Sequence, residues 1–277
     1  MKISMVMPVY NEVKLLPCHL ELAAPFVDEI ILVDGSPQGP STDGTKDLSS
    51  EYANVQIIEG KFELADRKGG WDKAAQLRAG VQKATGDMLI LSSVDNVYND
   101  YELLTNTLRD FPDGKVFYCF LTEFFLDTQH CRMMMTGDYP LPQVGYGIFQ
   151  KKLFTTKEYT WFARSLVDPS DFIFLQDIRK YHYGWITDCD KQVAKHIRNV
   201  RSGGWQEYGE RILSAGEQRM EMWAISHVLH YTEQATFVYA GTPYHPLHKI
   251  SFDYKANFDK VLQEFKKKYN KDYYDCI

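Results

Sequence analysis

Two carboxylates stand where a parallel sheet would present them. Asp95 follows the apolar run Met88-Leu89-Ile90-Leu91 after the small residues Ser92, Ser93 and Val94, and Asp34 ends the run that begins at Glu29. A short apolar run reads as a strand buried on both faces. Ligands in open α/β sheets lie just beyond the carboxyl ends of strands. A carboxylate there can hold a divalent cation, and the cation can hold a diphosphate. The plainer roles are capping of the next helix for Asp95 and a turn with Gly35 for Asp34. His182 sits among Tyr181, Tyr183 and Trp185, where a core histidine packed by aromatic rings is the plain reading. Glu123, near the end of an aromatic run, and Asp168 and Asp171, which flank Pro169-Ser170, are each a general base or a turn residue.

The elements that must position these residues alternate. Ile3 to Val9 reads as a strand ended by Tyr10-Asn11-Glu12, and Glu12 to Ala24 carries helical spacing with Pro17 limiting its start. A Gly-, Pro- and Ser-rich loop follows Asp34. Ser41 or Thr42 can then cap a helix through Tyr52. Val55 to Glu59 is a third strand, Gly60 to Gly70 a polar loop and Trp71 to Ala84 a helix. This alternation predicts a mostly parallel central sheet with helices on both faces. Beyond residue 100 the spacing predicts a helix over Tyr101 to Phe111, a strand over Val116 to Leu126 and a loop over Gly137 to Gly147. Separate strands over Phe172 to Leu175 and Arg179 to Tyr183 follow, then C-terminal helices over Asp188 to Val200, Glu217 to Leu229 and Phe252 to Tyr269. No repeat, low-complexity segment or linker divides the chain, so it reads as a single domain over 1–277.

With 277 residues, 44% of them hydrophobic, the chain can bury a large core, and no apolar run approaches the roughly 18 residues of a membrane span. Five scattered cysteines without a C-x-x-C pair point to a reduced, cytoplasmic setting and against a cysteine-built zinc site. A net charge of −6 argues against a polyanion as main partner. The last helix sets Phe258, Val261, Leu262, Phe265 and Tyr269 on one face and four lysines elsewhere. Core packing or self-association is its default, and contact with a membrane surface the sharper alternative.

Three strand ends, Pro8-Val9-Tyr10-Asn11-Glu12, Asp34-Gly35-Ser36 and Ser93-Val94-Asp95, together with Ser41-Thr42-Asp43-Gly44-Thr45 and the turn Ala84-Thr85-Gly86-Asp87, resemble family 2 glycosyltransferases of the GT-A fold. Asp95 matches the second acid of that family's D-x-D metal motif, and Ser93 departs from the first. Tyr181-His182-Tyr183-Gly184-Trp185, Arg67-Lys68-Gly69-Gly70 and Gly241-Thr242-Pro243-Tyr244-His245-Pro246 resemble segments of one bacterial branch.

The resemblance implies a GT-A-like (Rossmann-like) α/β fold. Residues 1–100 would form the nucleotide-sugar-binding half, 101–190 the acceptor half and 191–277 a helical extension. It implies inverting, metal-dependent transfer of a sugar from a nucleotide-diphosphate sugar to a hydroxyl of a glycan, lipid-linked sugar, protein or modified nucleic acid. Asp95 and His182 would hold Mn²⁺ or Mg²⁺. Pro8, Val9 and Tyr10 would line the nucleoside, with Asp34 bonding base or ribose, and Glu12 either adjoins them or starts the first helix. Arg67, Lys68 and Arg78 would touch phosphate or form a solvated face. Asp168 is the first choice of base, before Glu123 and Asp171. Two rivals are carried: a nucleotidyltransferase, which would usually show a glycine-rich loop where Pro8 to Glu12 stand, and a non-catalytic nucleotide- or sugar-binding protein, motivated by Ser93. His227 with His230 and His245 with His248 lack the H-E-x-x-H pattern of zinc hydrolases.

Overall fold

The computed structural model describes residues 1–66, 69–111, 116–125, 130–132, 134–136, 139–141, 143–153, 172–185, 189–201, 206–234, 237–239 and 254–272. The elements run β1 (Ile3–Val9), α1 (Leu16–Ala23), β2 (Glu29–Ser36), β3 (Val55–Lys61), α2 (Lys73–Lys83), β4 (Met88–Leu91), β5 (Asn96–Tyr98), α3 (Tyr101–Asp110), β6 (Val116–Phe125), β7 (His130–Arg132), β8 (Met134–Thr136), β9 (Tyr139–Leu141), β10 (Gln143–Gln150), β11 (Phe172–Trp185), α4 (Cys189–Arg201), α5 (Gln206–Ser214), α6 (Glu217–Gln234), β12 (Phe237–Tyr239) and α7 (Tyr254–Tyr269). They fall into two compact units. One holds Met1–Phe62, Asp72–Thr122 and Met134–His182; the other holds Glu63–Trp71, Glu123–Met133 and Tyr183–Ile277.

The first unit is built on a mixed sheet in the order β6-β10-β4-β1-β2-β3. Strands β4, β1, β2 and β3 are parallel, and β10 runs antiparallel to β4 and β6. The parallel strands lack a polar face because both of theirs are covered. Val6, Ile31, Val33, Leu89 and Leu91 pack with Leu77 and Val81 of α2, while the alternate residues Met5, Met7, Ile30, Leu32, Met88 and Ile90 are also wholly buried. Helix α2 lies close because position 80 is glycine: a Cβ there would stand 2.4 Å from Val6 Cγ1 and 2.7 Å from Val33 Cγ2. Asp72 caps α2 through Ala75 N, and Asp100 caps α3 through Leu103 N. Glu29 knots the opposite edge, accepting from Ser4 Oγ, from Thr85 N and Oγ1 and from Gly86 N.

Three sequence expectations change. The helix expected from Ser41 to Tyr52 is a 3-10 turn over Thr45–Glu51. Its would-be caps are engaged elsewhere, since Ser41 bonds Asp34 and Asn11 while Thr42 N donates to Asn11 Oδ1. The loop expected from Gly137 to Gly147 holds β9 and most of β10. The glycines there serve an irregular strand: the register shifts between Gly145 and Ile148, and Gly147 takes φ +120° against β4. The two strands expected over 172–183 are one, β11, antiparallel to β5.

In the second unit α4, α6 and α7 bury Val193, Ala224, Ile225, Val228, Val261 and Phe265 together, and Val200, Ile212 and Met220 join α4, α5 and α6. The apolar face expected on α7 thus packs as core through Val261 and Phe265. Strand β7 pairs antiparallel with β12 and with Glu123 and Phe124 at the end of β6. The loop 63–71 closes on itself through Leu64 N and Gly70 O, and Arg198 lies over the Trp71 ring at 5.7 Å. No helix among the described residues is long and apolar enough to cross a membrane. Among the described residues, Cys18 and Cys119 are not in disulfides.

Candidate functional site

The carboxyl ends of β1, β2 and β4 form the candidate site of the first unit. Beyond β1, Asn11 adopts φ +55°, and the chain from Asn11 to Val13 bonds the 41–45 loop four times. Asn11 N donates to Ser41 Oγ (2.8 Å), Thr42 N to Asn11 Oδ1 (3.0 Å), Glu12 N to Thr45 Oγ1 (2.8 Å) and Val13 N to Asp43 Oδ2 (3.2 Å), while Asp43 also accepts from Thr45. Short polar side chains at these positions replace a helix with side-chain-to-backbone bonds. Pro8, Tyr10 and Glu12 are half-buried and Val9 is buried.

Asp34 is fully buried, and its carboxylate accepts from Ser41 N at 3.1 Å and Ser41 Oγ at 2.5 Å. Burial pushes its carboxyl above the usual aspartate value against the pull of Ser41, with Glu59 and Asp43 adding repulsion. Direct bonding to base or ribose therefore requires Ser41 to yield. Gln76 of α2, also buried, donates its amide to the carbonyls of Val33 (2.7 Å), Gly35 (3.3 Å) and Val9 (3.4 Å), tying two strand ends together.

Beyond β4, the Ser92–Asn96 loop is folded on itself. Ser92 Oγ donates to Asn96 O at 2.9 Å, and Asn96 N donates to Ser93 O at 2.9 Å. Ser93, standing where the family pattern has an acid, donates to Asp95 Oδ1 at 2.5 Å, and Asn96 Nδ2 donates to the same oxygen at 3.1 Å. The other oxygen, Oδ2, lies 3.4 Å from His182 Nε2, with both side chains about one-fifth exposed. Register makes this meeting: β11 pairs with β5 so that His182 stands opposite Asn96. Asp95 does not cap α3, a task that Asp100 performs, and His182 is not sealed in an aromatic core. Lys180, two residues before His182 on β11, is buried, its Nζ 5.6 Å from the Tyr98 ring centre. Burial holds its amine below the usual lysine value, while Cys119 and Asp95 pull the other way.

Other sequence candidates fall elsewhere. Arg78 Nη2 reaches Asp72 at 3.7 Å, so its observed partner is the α2 cap. Arg67, Lys68, Asp168 and Asp171 lie outside the described residues; Glu123 is described only as strand backbone in β6. His19 and Gln76 escaped the sequence reading. Each occupies a buried position in an otherwise apolar or small helical stripe, Leu16-His19-Leu20-Ala23 and Gln76-Leu77-Gly80-Val81. A polar residue at such a position signals a buried hydrogen-bond obligation.

The model of the family described as glycosyl transferase family 2 matches residues 4–177. No curated protein matches the chain. Among solved structures, TarS residues 1–349 of S. aureus in complex with UDP-GlcNAc is 13% identical, with 96% of this chain and 81% of that one covered at a TM-score of 0.43. The mannosyltransferase PcManGT from Pyrobaculum calidifontis in complex with GDP-Man and Mn²⁺ is 14% identical, with 85% and 76% covered at 0.43. The inositol-1-phosphate CTP transferase from T. maritima is 12% identical, with 66% and 89% covered at 0.36. The family match takes in well over half of the chain and every strand end just described, so the chain belongs to glycosyl transferase family 2, with the α/β GT-A fold, and is a glycosyltransferase.

Proposed function

We propose that this chain transfers a sugar, with inversion, from a nucleotide-diphosphate sugar to an acceptor hydroxyl, and that Asp95 and His182 hold Mn²⁺ or Mg²⁺ for that transfer. The 3.4 Å approach of Asp95 Oδ2 to His182 Nε2 carries the reading. Two ligands at about 2.1 Å and at right angles around one ion stand about 3 Å apart, so the pair fits adjacent corners of an octahedron. No group of three His, Cys, Asp or Glu side chains among the described residues could hold a metal ion. Asp95 and His182 would hold the ion from the protein's side, and diphosphate oxygens and water would supply its other ligands, as for ions that bind with a nucleotide. Such an ion, when bound, offsets the charge of the leaving diphosphate.

The chain's own groups do the rest. Pro8, Val9 and Tyr10 seat the nucleoside on a rim that the 41–45 loop already braces, with Asp34 and Ser41 beneath it. Asp168 takes the proton of the acceptor hydroxyl, with Glu123 and Asp171 as alternates. The acceptor belongs to a glycan, a lipid-linked sugar, a protein or a modified nucleic acid. Cys18 and Cys119, neither of them in a disulfide, support a reducing, cytoplasmic setting.

The test is a panel of nucleotide sugars, UDP-GlcNAc and GDP-Man among them, with and without Mn²⁺. One donor should raise the melting temperature in a Mn²⁺-dependent way, as ligands of the native state do, and should slowly release its nucleoside diphosphate. A panel without either response overturns the reading.

A further inference from the structure

The carboxylate of Asp95 hangs on a peptide that is gripped from another part of the chain. Val94 precedes it, and the Val94 carbonyl accepts a 3.0 Å hydrogen bond from Nδ1 of His19. His19 belongs to α1 and is wholly buried. Its other nitrogen, Nε2, lies 2.8 Å from the hydroxyl of Tyr101, the first residue of α3. A carbonyl only accepts, so Nδ1 carries the proton and Nε2 receives that of Tyr101. A neutral imidazole satisfies both partners at once, and burial keeps the ring neutral by drawing its pKa down to about 4.

The loop is held at its far end, where Asn96 of β5 pairs with His182 of β11, but its internal hydrogen bonds do not fix its middle. Ser92 Oγ to Asn96, Asn96 to Ser93 and Ser93 to Asp95 all run within five residues and would move with the loop as one body. Ser92 N, bonded to Val6 O at 3.1 Å, anchors one end to β1. The imidazole anchors the middle, one peptide from the carboxylate, and braces it against two helices. Partners outside a ligand shell orient the ligands, and their loss typically costs about 10–100-fold in metal affinity or activity.

We propose that His19 is a positioning residue for Asp95, its grip on the Val94 carbonyl fixing where the carboxylate meets His182. The consequence for metal binding rests on the functional reading above; the geometric consequence does not.

Three variants test it. His19→Phe keeps a ring but removes both nitrogens, His19→Asn restores a donor near the Nδ1 position, and Tyr101→Phe removes the partner of Nε2. Two quantities are read in each: the Asp95–His182 separation in crystal structures, and Mn²⁺ affinity in the presence of inorganic pyrophosphate by electron paramagnetic resonance. In His19→Phe the pair should separate and Mn²⁺–pyrophosphate affinity fall about 10–100-fold. In His19→Asn much of both should return, even if its melting temperature is no higher. A merely structural role would lower the melting temperature in both variants while leaving separation and affinity per folded molecule unchanged, and that result overturns the proposal. If His19→Phe does not fold, Tyr101→Phe decides, with unchanged separation and affinity again overturning it. If the wild type binds no Mn²⁺–pyrophosphate, the metal reading fails by itself. The separation in the variants then still judges His19: a widened pair supports positioning and an unchanged pair rejects it.

Discussion

Nε2 of His182 stands 3.4 Å from Oδ2 of Asp95, although one residue lies on β11 and the other in the loop after β4. The pairing of β5 with β11 supplies the proximity. Asp95 Oδ1 is already engaged by Ser93 and Asn96, so Oδ2 is the oxygen turned to the histidine. A serine in place of a second acid thus orients the acid that remains.

Asp95→Ala and His182→Ala should each weaken Mn²⁺-dependent binding of a nucleoside diphosphate about tenfold or more, and the double variant should lose less than the sum, because ligands of one ion are coupled. Stability should fall by only about 1 kcal/mol, since neither residue is deep in the core. Calorimetry checks affinity and thermal melting checks stability. A large melting loss in His182→Ala with normal Mn²⁺ affinity would return His182 to the core.

Asp168→Asn should leave donor affinity intact and cut transfer about 10²–10⁴-fold, the usual contribution of a general base. Transfer at the wild-type rate would move the assignment to Glu123 or Asp171.

Acid should destabilise the fold through its buried histidines. Burial lowers the pKa of His19 from 6.5 to about 4, and burial with the charges of His227 and Lys195 lowers that of His196 to about 3. Between those values and 6.5 the unfolded chain binds protons that the folded chain refuses, so stability is full above 6.5 and falls as pH drops. Glu29 acts in the same direction at lower pH. Burial raises its carboxyl, but hydrogen bonds from Ser4 and Thr85 and the charge of Lys2 outweigh this and hold it below 4.5. The urea midpoint should decline steadily from about pH 7 to about pH 4, and His196→Phe should flatten part of that slope. A midpoint independent of pH contradicts this account.

Gly147→Ala should lower the melting temperature markedly. Position 147 has φ +120°, and a Cβ there would stand 2.7 Å from the carbonyl oxygen of Leu91. Backbone strain of this kind costs about 1–3 kcal/mol. Leu91 ends β4, so the same change should disturb Mn²⁺-dependent nucleotide binding. A variant melting like the wild type would show that β10 can shift away.

The sequence made the parallel half of the sheet readable because strands covered on both faces leave uninterrupted apolar runs, as in Met88 to Leu91. It hid β10 and β11 for the opposite reason. Gly145 and Gly147 look like loop residues, and the exposed Gln176 and Asp177 look like a break in β11, yet long-range pairing holds both segments extended. Asp95 and His182 could be nominated separately, but their meeting depends on a strand register that no local pattern encodes. Ser41 shows a further limit. It has the chemistry of a helix cap, and a buried carboxylate claimed it instead.

The β5–β11 register also orders events in time. The braced end of β1 and the Asp95 loop use residues up to about position 101, whereas His182 is supplied by a strand made much later. At about 5–20 residues per second, roughly 4–17 s of synthesis separate the two. During that interval a nascent chain can carry Asp95 and its loop while lacking His182, so the two residues meet only once β11 has paired with β5. Translation itself thereby withholds the meeting of Asp95 and His182 until the sheet is nearly whole.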